Sequence, residues 1–300
     1  MSEPEPTVAT DPTYGFRHLD PLPEADELDR FYQSAYADMV RRGERFPELR
    51  RMFEGGDDAD RERRWIRSTL HADLLDALAR NLAPGAPRTL LDIGSGQGEL
   101  LATAEEAGWT AVGLEPSVEA SDLGRAEGRT IEAVTFEEYV GRPERPLPPS
   151  AITLTNVLEH VRDPFGLLAS IRGFLDTGGL VAVRVPNDFN PLQAEVRRTL
   201  GHRAWWIAAP DHINYFDHAT LAATIRGAGF EVCDQWGDFP MEMLALMGDD
   251  YVADPAAGKV AHERRRRFEL AIDPSLRRAL ARALVPLGWG RNTIVVARVA

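Results

Sequence analysis

The sequence predicts an α/β fold: seven strands, mostly parallel, with helices between them. Three observations carry this. From residue 88 onward, short branched apolar runs alternate with segments of helical periodicity. One of these runs, Thr89-Leu90-Leu91-Asp92-Ile93, passes into Gly94-Ser95-Gly96-Gln97-Gly98 and then Glu99-Leu100-Leu101, which reads as strand, tight loop and helix. At 44% hydrophobic residues, the 300-residue chain can also build a sizeable core.

The elements follow in order. Residues 1–13 are polar and proline-rich and are expected to be disordered. Residues 14–23 carry Tyr14, Phe16, His18 and Leu19 between prolines, an extended but sticky stretch. Leu28, Phe31, Tyr32 and Tyr36 recur at helical spacing, and a charged stretch over 41–64 follows. Trp65, Leu70, Leu74, Leu75, Leu78 and Leu82 mark a helix that Pro84-Gly85 stops. The strands are then expected at 90–93, 110–114, 131–135, 151–155, 180–185, 230–236 and 293–299, with helices at 164–175 and 218–227. Two connections are long, 187–216 and 237–292. The second is methionine-rich (Met241, Met243, Met247) and has a helix around residues 264–267. Connections of this length are usually functional or disordered, and the aromatic and methionine content favours function.

Composition excludes several classes. A net charge of −13 argues against a polyanion partner, so no nucleic acid is expected. Cys233 is the only cysteine, which rules out an intramolecular disulfide and a multi-cysteine zinc site. Lys259 is the only lysine. The first residues lack signal-peptide character and no apolar run reaches membrane-spanning length, so a cytoplasmic protein without a membrane partner is expected.

The spacing Gly94, Gly96, Gly98 is G-x-G-x-G, not the G-x-G-x-x-G of dinucleotide folds. Glu115 ends the next strand, where a carboxylate can accept hydrogen bonds from both hydroxyls of a ribose. Four stretches together resemble class I S-adenosylmethionine-dependent methyltransferases: residues 91–98, residues 152–161 with Leu158-Glu159-His160-Val161, the turn Leu175-Asp176-Thr177-Gly178-Gly179-Leu180, and Asp211-His212-Ile213-Asn214-Tyr215-Phe216 followed by Gly227-Ala228-Gly229-Phe230. Thr177 stands where that family usually has proline. The second stretch is similar to the subgroup of ubiquinone-type O-methyltransferases and sugar or natural-product methyltransferases. The resemblance implies a Rossmann-like sheet with an antiparallel last strand and S-adenosylmethionine as cofactor.

It also implies roles. Gly94, Ser95, Gly96 and Gly98 would pass under the methionyl part, and Asp92 would orient the loop and the cofactor's amino group. Glu115 would hold the ribose. Pro116, Thr135 and Phe136 would border the adenine, and Asn156, Val157 and Leu158 would line the methyl-donor end. A hydroxyl acceptor needs its proton removed; His160 and His212 are the candidate bases, with Asp211 beside His212 as an orienter. Glu159 more simply pairs with a helix N-terminus or an arginine. The spacing of His160, Asp211 and His212 matches no helical metal motif, so no metal is expected. Trp205, Trp206, Tyr215 and Tyr251, with Asp211, could bind a sugar or a flat acceptor. Arg264, Arg265, Arg266 and Arg267 read as a solvated helix face, with a phosphate clamp as the minor alternative.

The domain division expected is 1–13 disordered, 14–86 helical lid or extension, 87–237 cofactor-binding core, 238–292 helical insertion capping the substrate, and 293–300 the last core strand. The function expected is O-methylation of a small-molecule acceptor: a sugar, glycan intermediate or secondary metabolite. C- or N-methylation and a non-catalytic cofactor-binding scaffold are the alternatives, and a homodimer is allowed. Base methylation of nucleic acid is disfavoured, because Thr155-Asn156-Val157-Leu158 replaces the tetrad such enzymes share. Oxidoreduction with NAD is disfavoured by the glycine spacing.

Overall fold

The structure, a computed structural model, describes residues 5–24, 27–28, 56–144 and 146–300. The expected helical repeat at Phe31, Tyr32 and Tyr36, and positions 41–55 of the charged stretch, lie outside the described residues.

The main sheet has seven strands: β3 (Thr89–Ile93), β4 (Thr110–Leu114), β5 (Ile131–Glu132), β6 (Ala151–Thr155), β7 (Leu180–Pro186), β9 (Phe230–Gly237) and β10 (Asn292–Val299). Their order across the sheet is β5-β4-β3-β6-β7-β10-β9. β3 pairs in parallel with β4 and β6, and β6 with β7. β10 runs antiparallel to both β7 and β9. This is the Rossmann-like topology expected. Its strands are apolar on both faces, as buried parallel strands must be. Leu91, Ile93, Ile152, Leu154, Val181 and Val183 pack on one side; Leu90, Ala151, Leu180 and Ala182 pack on the other, against Leu74, Leu75 and Leu78.

Leu74, Leu75 and Leu78 all come from the second of the N-terminal helices. α1 (Gly56–Ile66) and α2 (Ala72–Asn81) are joined by a π-helical turn, Arg67–His71. Between strands lie α3 (Glu99–Glu106), α4 (Val118–Ala126), the short α5 (Phe136–Val140) and α6 (Pro164–Phe174). α7 (Pro191–Leu200) sits in the first long connection, and α8 (His218–Gly227) precedes β9. The second long connection folds into α9 (Glu242–Leu246), α10 (Pro255–Ala271) and α11 (Pro274–Leu284). No helix of the described residues is long and apolar enough to cross a membrane.

Three expectations are corrected. The third core strand stops at Glu132, because Thr135 leaves the sheet to cap α5: its Oγ1 accepts from the Glu138 N–H at 3.2 Å while Glu138 Oε2 accepts from the Thr135 N–H at 2.8 Å. Disorder does not extend over 1–13. β1 (Val8–Thr10) pairs with β2 (Arg17–Leu19), and β2 with β8 (Asn214–Tyr215), so a small second sheet uses the sticky stretch that follows. Phe16 enters the main core and Tyr14 stacks on Phe165 at 5.3 Å.

The third correction concerns the arginine run. Arg264 and Arg267 are exposed, but Arg265 and Arg266 are buried. Arg265 donates to Asp238 at 2.9 Å and to Glu269 at 3.1 Å, and Arg266 to Glu62 at 2.8 Å. Glu269 also accepts from the Trp65 indole at 2.7 Å, so α10 is tied to α1 and to the end of β9. Asp238 accepts from the Asn292 backbone as well, at 2.7 Å. Removing one partner of a buried ion pair strands the other's charge. Arg265→Met is therefore expected to lower unfolding free energy by about 3–5 kcal/mol, measured by urea denaturation; a loss under about 1 kcal/mol would place the pair among weak surface bridges.

Candidate active site

The strand tips of β3, β4 and β6 frame one end of a cavity of about 2020 Å³. Drug-sized pockets usually span roughly 300–1,000 Å³, so this one has room for two ligands of nucleoside size. Its floor is the glycine bend. Gly94, Gly96 and Gly98 all have left-handed backbone, with φ of 70°, 55° and 78°. A Cβ on Gly94 would lie 2.5 Å from Val157 Cγ2. A Cβ on Gly96 would meet nothing within 4 Å, since that residue faces the open cavity. The first glycine is thus required by packing, and the second by its left-handed backbone beside open space.

Glu115, at the tip of β4, closes over this bend. Its Oε2 accepts from the Gly96 N–H at 2.9 Å and its Oε1 from the Ser117 N–H at 2.8 Å. Burial pushes its pKa up, and the two amide bonds oppose that shift. Each carboxylate oxygen has one lone pair committed to an amide and one left for a ligand. Pro116, Thr135, Asn156 and Val157 continue the wall. Asn156 is non-glycine at φ 56°, a conformation asparagine tolerates; Arg184 donates to its Oδ1.

Five residues assigned to the cofactor stand behind this wall. Ser95 and Gly98 support the bend. Phe136 is 2% exposed and packs edge-on against Phe174, and Leu158 is fully buried in the main core. Asp92 is buried and accepts from Thr153 Oγ1 at 2.6 Å. Burial pushes its pKa up to about 7, against the Thr153 bond and helped by the Glu115 charge. The folded state thus holds a proton that the unfolded chain releases near 3.8, the ordinary value for an aspartate. This contribution to stability is full below about pH 4 and is lost as pH rises through about 7. Asp92→Asn keeps an acceptor for Thr153 without the charge. The melting temperature of the ligand-free variant relative to wild type is expected to rise from pH 5 to pH 8; a flat or falling difference would contradict a buried carboxyl.

The two candidate bases meet across 52 residues of sequence because backbone hydrogen bonds bring their loops together. The Glu159 carbonyl accepts from the N–H groups of Ile213 and Asn214 at 2.9 and 3.0 Å, and Asn214 Nδ2 donates to the Val161 carbonyl at 2.7 Å. His160 and His212 both line the cavity, their rings perpendicular with centroids 5.0 Å apart. His160 Nδ1 donates to the Asp211 carbonyl at 2.9 Å. Burial alone would lower the His160 pKa, but the Glu159 charge and the contacts to Asp211 outweigh it and raise it to about 9. Glu159 and Asp211 are buried behind the rings. Glu159 meets no helix N-terminus and no arginine within ion-pair distance among the described residues; its close neighbour is His160, 3.7 Å away.

Of the acceptor residues, Trp205, Trp206 and Tyr251 reach the cavity; Trp205 and Trp206 meet edge-to-face at 4.8 Å. Asp211 and Tyr215 do not. Tyr215 is 2% exposed in the small core under the second sheet, its hydroxyl donating to the His212 carbonyl at 2.7 Å. Sequence reasoning missed several wall residues. His71 lies on the π-helical turn and bonds Thr103 at 3.0 Å; burial pushes its pKa down to about 3, so it is neutral. Nothing in residues 67–71 announces that turn, though such turns often mark functional sites. Asp188, pushed by burial up to about 7 against a bond from Gln193, follows the proline that ends β7. Its place just past a strand's C-terminal end was the available signal.

A family model described as "Methyltransferase domain" matches residues 63–235. No curated protein matches the sequence. Two of the solved structures that share the fold show the likeness. A SAM dependent methyltransferase from Archaeoglobus fulgidus is 16% identical at a TM-score of 0.50, over 77% of this chain and 94% of its own. The 1,6-didemethyltoxoflavin-N1-methyltransferase of Burkholderia thailandensis, solved with 1,6-didemethyltoxoflavin and S-adenosylhomocysteine, is 16% identical at a TM-score of 0.50, over 100% of this chain and 98% of its own.

Proposed function

Since the chain belongs to the methyltransferase-domain family, and S-adenosylmethionine is that fold's methyl donor, we propose that it methylates a hydroxyl of a small molecule, as sugar and natural-product O-methyltransferases do. One observation carries the reading: a cofactor-sized bend with a free-faced carboxylate at one end of the cavity, and two imidazoles with two indoles beyond it. Gly96 leaves the space a ligand needs, and Glu115 presents the acceptor pair that a vicinal diol requires.

When bound, the cofactor supplies an electrophilic methyl group on a sulfonium sulfur. The chain's part is to align and to exclude water. Gly94 and Gly96 set the floor, Glu115 holds the ribose hydroxyls, and Asn156 and Val157 wall the donor end. Trp205 and Trp206 give flat apolar faces for a sugar or ring, and Asp188 and Gln193 give polar groups to orient it. Alignment of this kind can supply on the order of 7–11 kcal/mol. His212 accepts the hydroxyl proton; His160, already held protonated between Glu159 and Asp211, keeps it in place.

Calorimetry with S-adenosylhomocysteine and with NAD tests the cofactor, and transfer of labelled methyl to a panel of hydroxylated sugars and phenols tests the reaction. Binding of the first ligand alone, with label on oxygen, is the expected result. Label on nitrogen or carbon would move the assignment to N- or C-methylation, and cofactor binding without transfer to any acceptor would leave a binding scaffold.

A further inference from the structure

The loop after β6 buries a carboxylate that the methyl transfer above uses only indirectly. Glu159 is 1% exposed, and neither of its carboxylate oxygens has a hydrogen-bond partner among the described residues. A buried carboxylate without donors is strongly disfavoured unless a cation meets it. The ring nitrogens of His160 and His212 converge on it: one ligand atom from each of the three residues lies within 4.8 Å of the other two. Because the Asp211 carbonyl can only accept, its 2.9 Å contact fixes the proton on His160 Nδ1. That arrangement turns Nε2 toward Glu159 Oε1, 3.7 Å away. A ring N–H held by a backbone carbonyl is the usual outer partner of a metal-bound imidazole.

We infer that Glu159, His160 and His212 bind a divalent first-row transition-metal ion at the acceptor end of the cavity. Two imidazoles and a carboxylate suit zinc, manganese, iron, cobalt or nickel, and are a poor match for the all-oxygen preference of calcium or magnesium. Ligands at about 2.1 Å from one ion can lie at most about 4.2 Å apart, so small side-chain rotations close the set, with the proton on His160 Nε2 released to solvent as the ion binds. The expectation from sequence grouped the imidazoles with Asp211; the structure keeps Asp211 beside both, 3.3 Å from His160 Nδ1 and 3.8 Å from His212 Nε2, and adds Glu159. His160 and His212 line the cavity while Glu159 stands behind them, so the remaining coordination positions face the acceptor chamber. Two neighbouring oxygens of an acceptor would complete the shell. The inference rests on the cavity being that chamber and changes how the hydroxyl is activated: the ion acidifies it, its proton passes to water, and the imidazoles hold the ion.

The test uses the full chain, freed of metal with a chelator and titrated with Co²⁺, followed by visible absorption and calorimetry. One ion per chain is expected, with affinity falling at least about tenfold in both Glu159→Gln and His212→Ala. Thermal unfolding verifies that each variant is folded. His262→Ala, whose imidazole pairs with Glu62 elsewhere in the molecule, is expected to bind Co²⁺ like wild type. Absence of saturable binding, or equal binding by wild type and both cluster variants, overturns the site. Titrating the same metal-free samples with S-adenosylhomocysteine keeps the two readings apart. Cofactor binding without Co²⁺ binding removes the metal site and leaves the methyltransferase reading; Co²⁺ binding without cofactor binding supports the site and removes that reading.

Discussion

Replacing His212 by alanine is expected to cut turnover by about 10²–10⁴-fold, the size of a positioned general acid–base contribution, since the acceptor hydroxyl loses either its base or the ion that the imidazole holds. The affinity for S-adenosylhomocysteine should stay within about twofold, because the bend and Glu115 are built from other strand tips. The side chain lines the cavity, and its ring stands perpendicular to that of His160 at 5.0 Å. His160→Ala is expected to lose less than His212→Ala if His160 only holds a proton in place, and a similar amount if the two imidazoles act as one unit. Steady-state kinetics with parallel calorimetry reads both quantities. A loss under about tenfold in both variants would remove histidine chemistry from the proposed reaction.

Replacing Glu115 by alanine is expected to weaken S-adenosylhomocysteine binding by on the order of 10²–10³-fold. A hydrogen bond to a charged group is worth about 1.5–3 kcal/mol, and two ribose hydroxyls face one carboxylate. Glu115→Gln keeps one acceptor oxygen and should lose about tenfold. Stability should also fall, by about 1–2 kcal/mol, because the N–H groups of Gly96 and Ser117 lose their acceptor. Calorimetry together with thermal unfolding separates the two effects. If the alanine variant binds within about threefold of wild type, the ribose is held elsewhere.

The core fold was legible because its signals are local. Apolar runs ending at Ile93, Leu114 and Thr155 each closed a strand, and the glycine bend could be read directly. The shortened β5 was misread because its apolar pattern continues through Val134, whereas the capping bonds of Thr135 and Glu138 decide the boundary. The arginine run was misread for a related reason. A run of charges looks solvated until its partners are known, and Asp238, Glu269 and Glu62 lie 27, 4 and 204 residues from theirs. The site divides in the same way. Gly94, Gly96, Glu115, Asn156 and Val157 come from strand tips and reach the wall, as do His160 and His212 from the loops beyond them. Phe136, Leu158, Asp211 and Tyr215 belong to the right segments but point inward, a matter of side-chain direction that spacing alone does not reveal. His71 and Asp188 belong to a π-helical turn and to the start of a long connection, neither of which carries a motif.

A crystal structure of the chain with S-adenosylhomocysteine decides where the cofactor lies. The ligand is expected across Gly94 and Gly96, with each ribose hydroxyl within hydrogen-bond distance of a Glu115 carboxylate oxygen. A ligand bound elsewhere in the cavity, or a Glu115 carboxylate turned from the ribose, would contradict that placement.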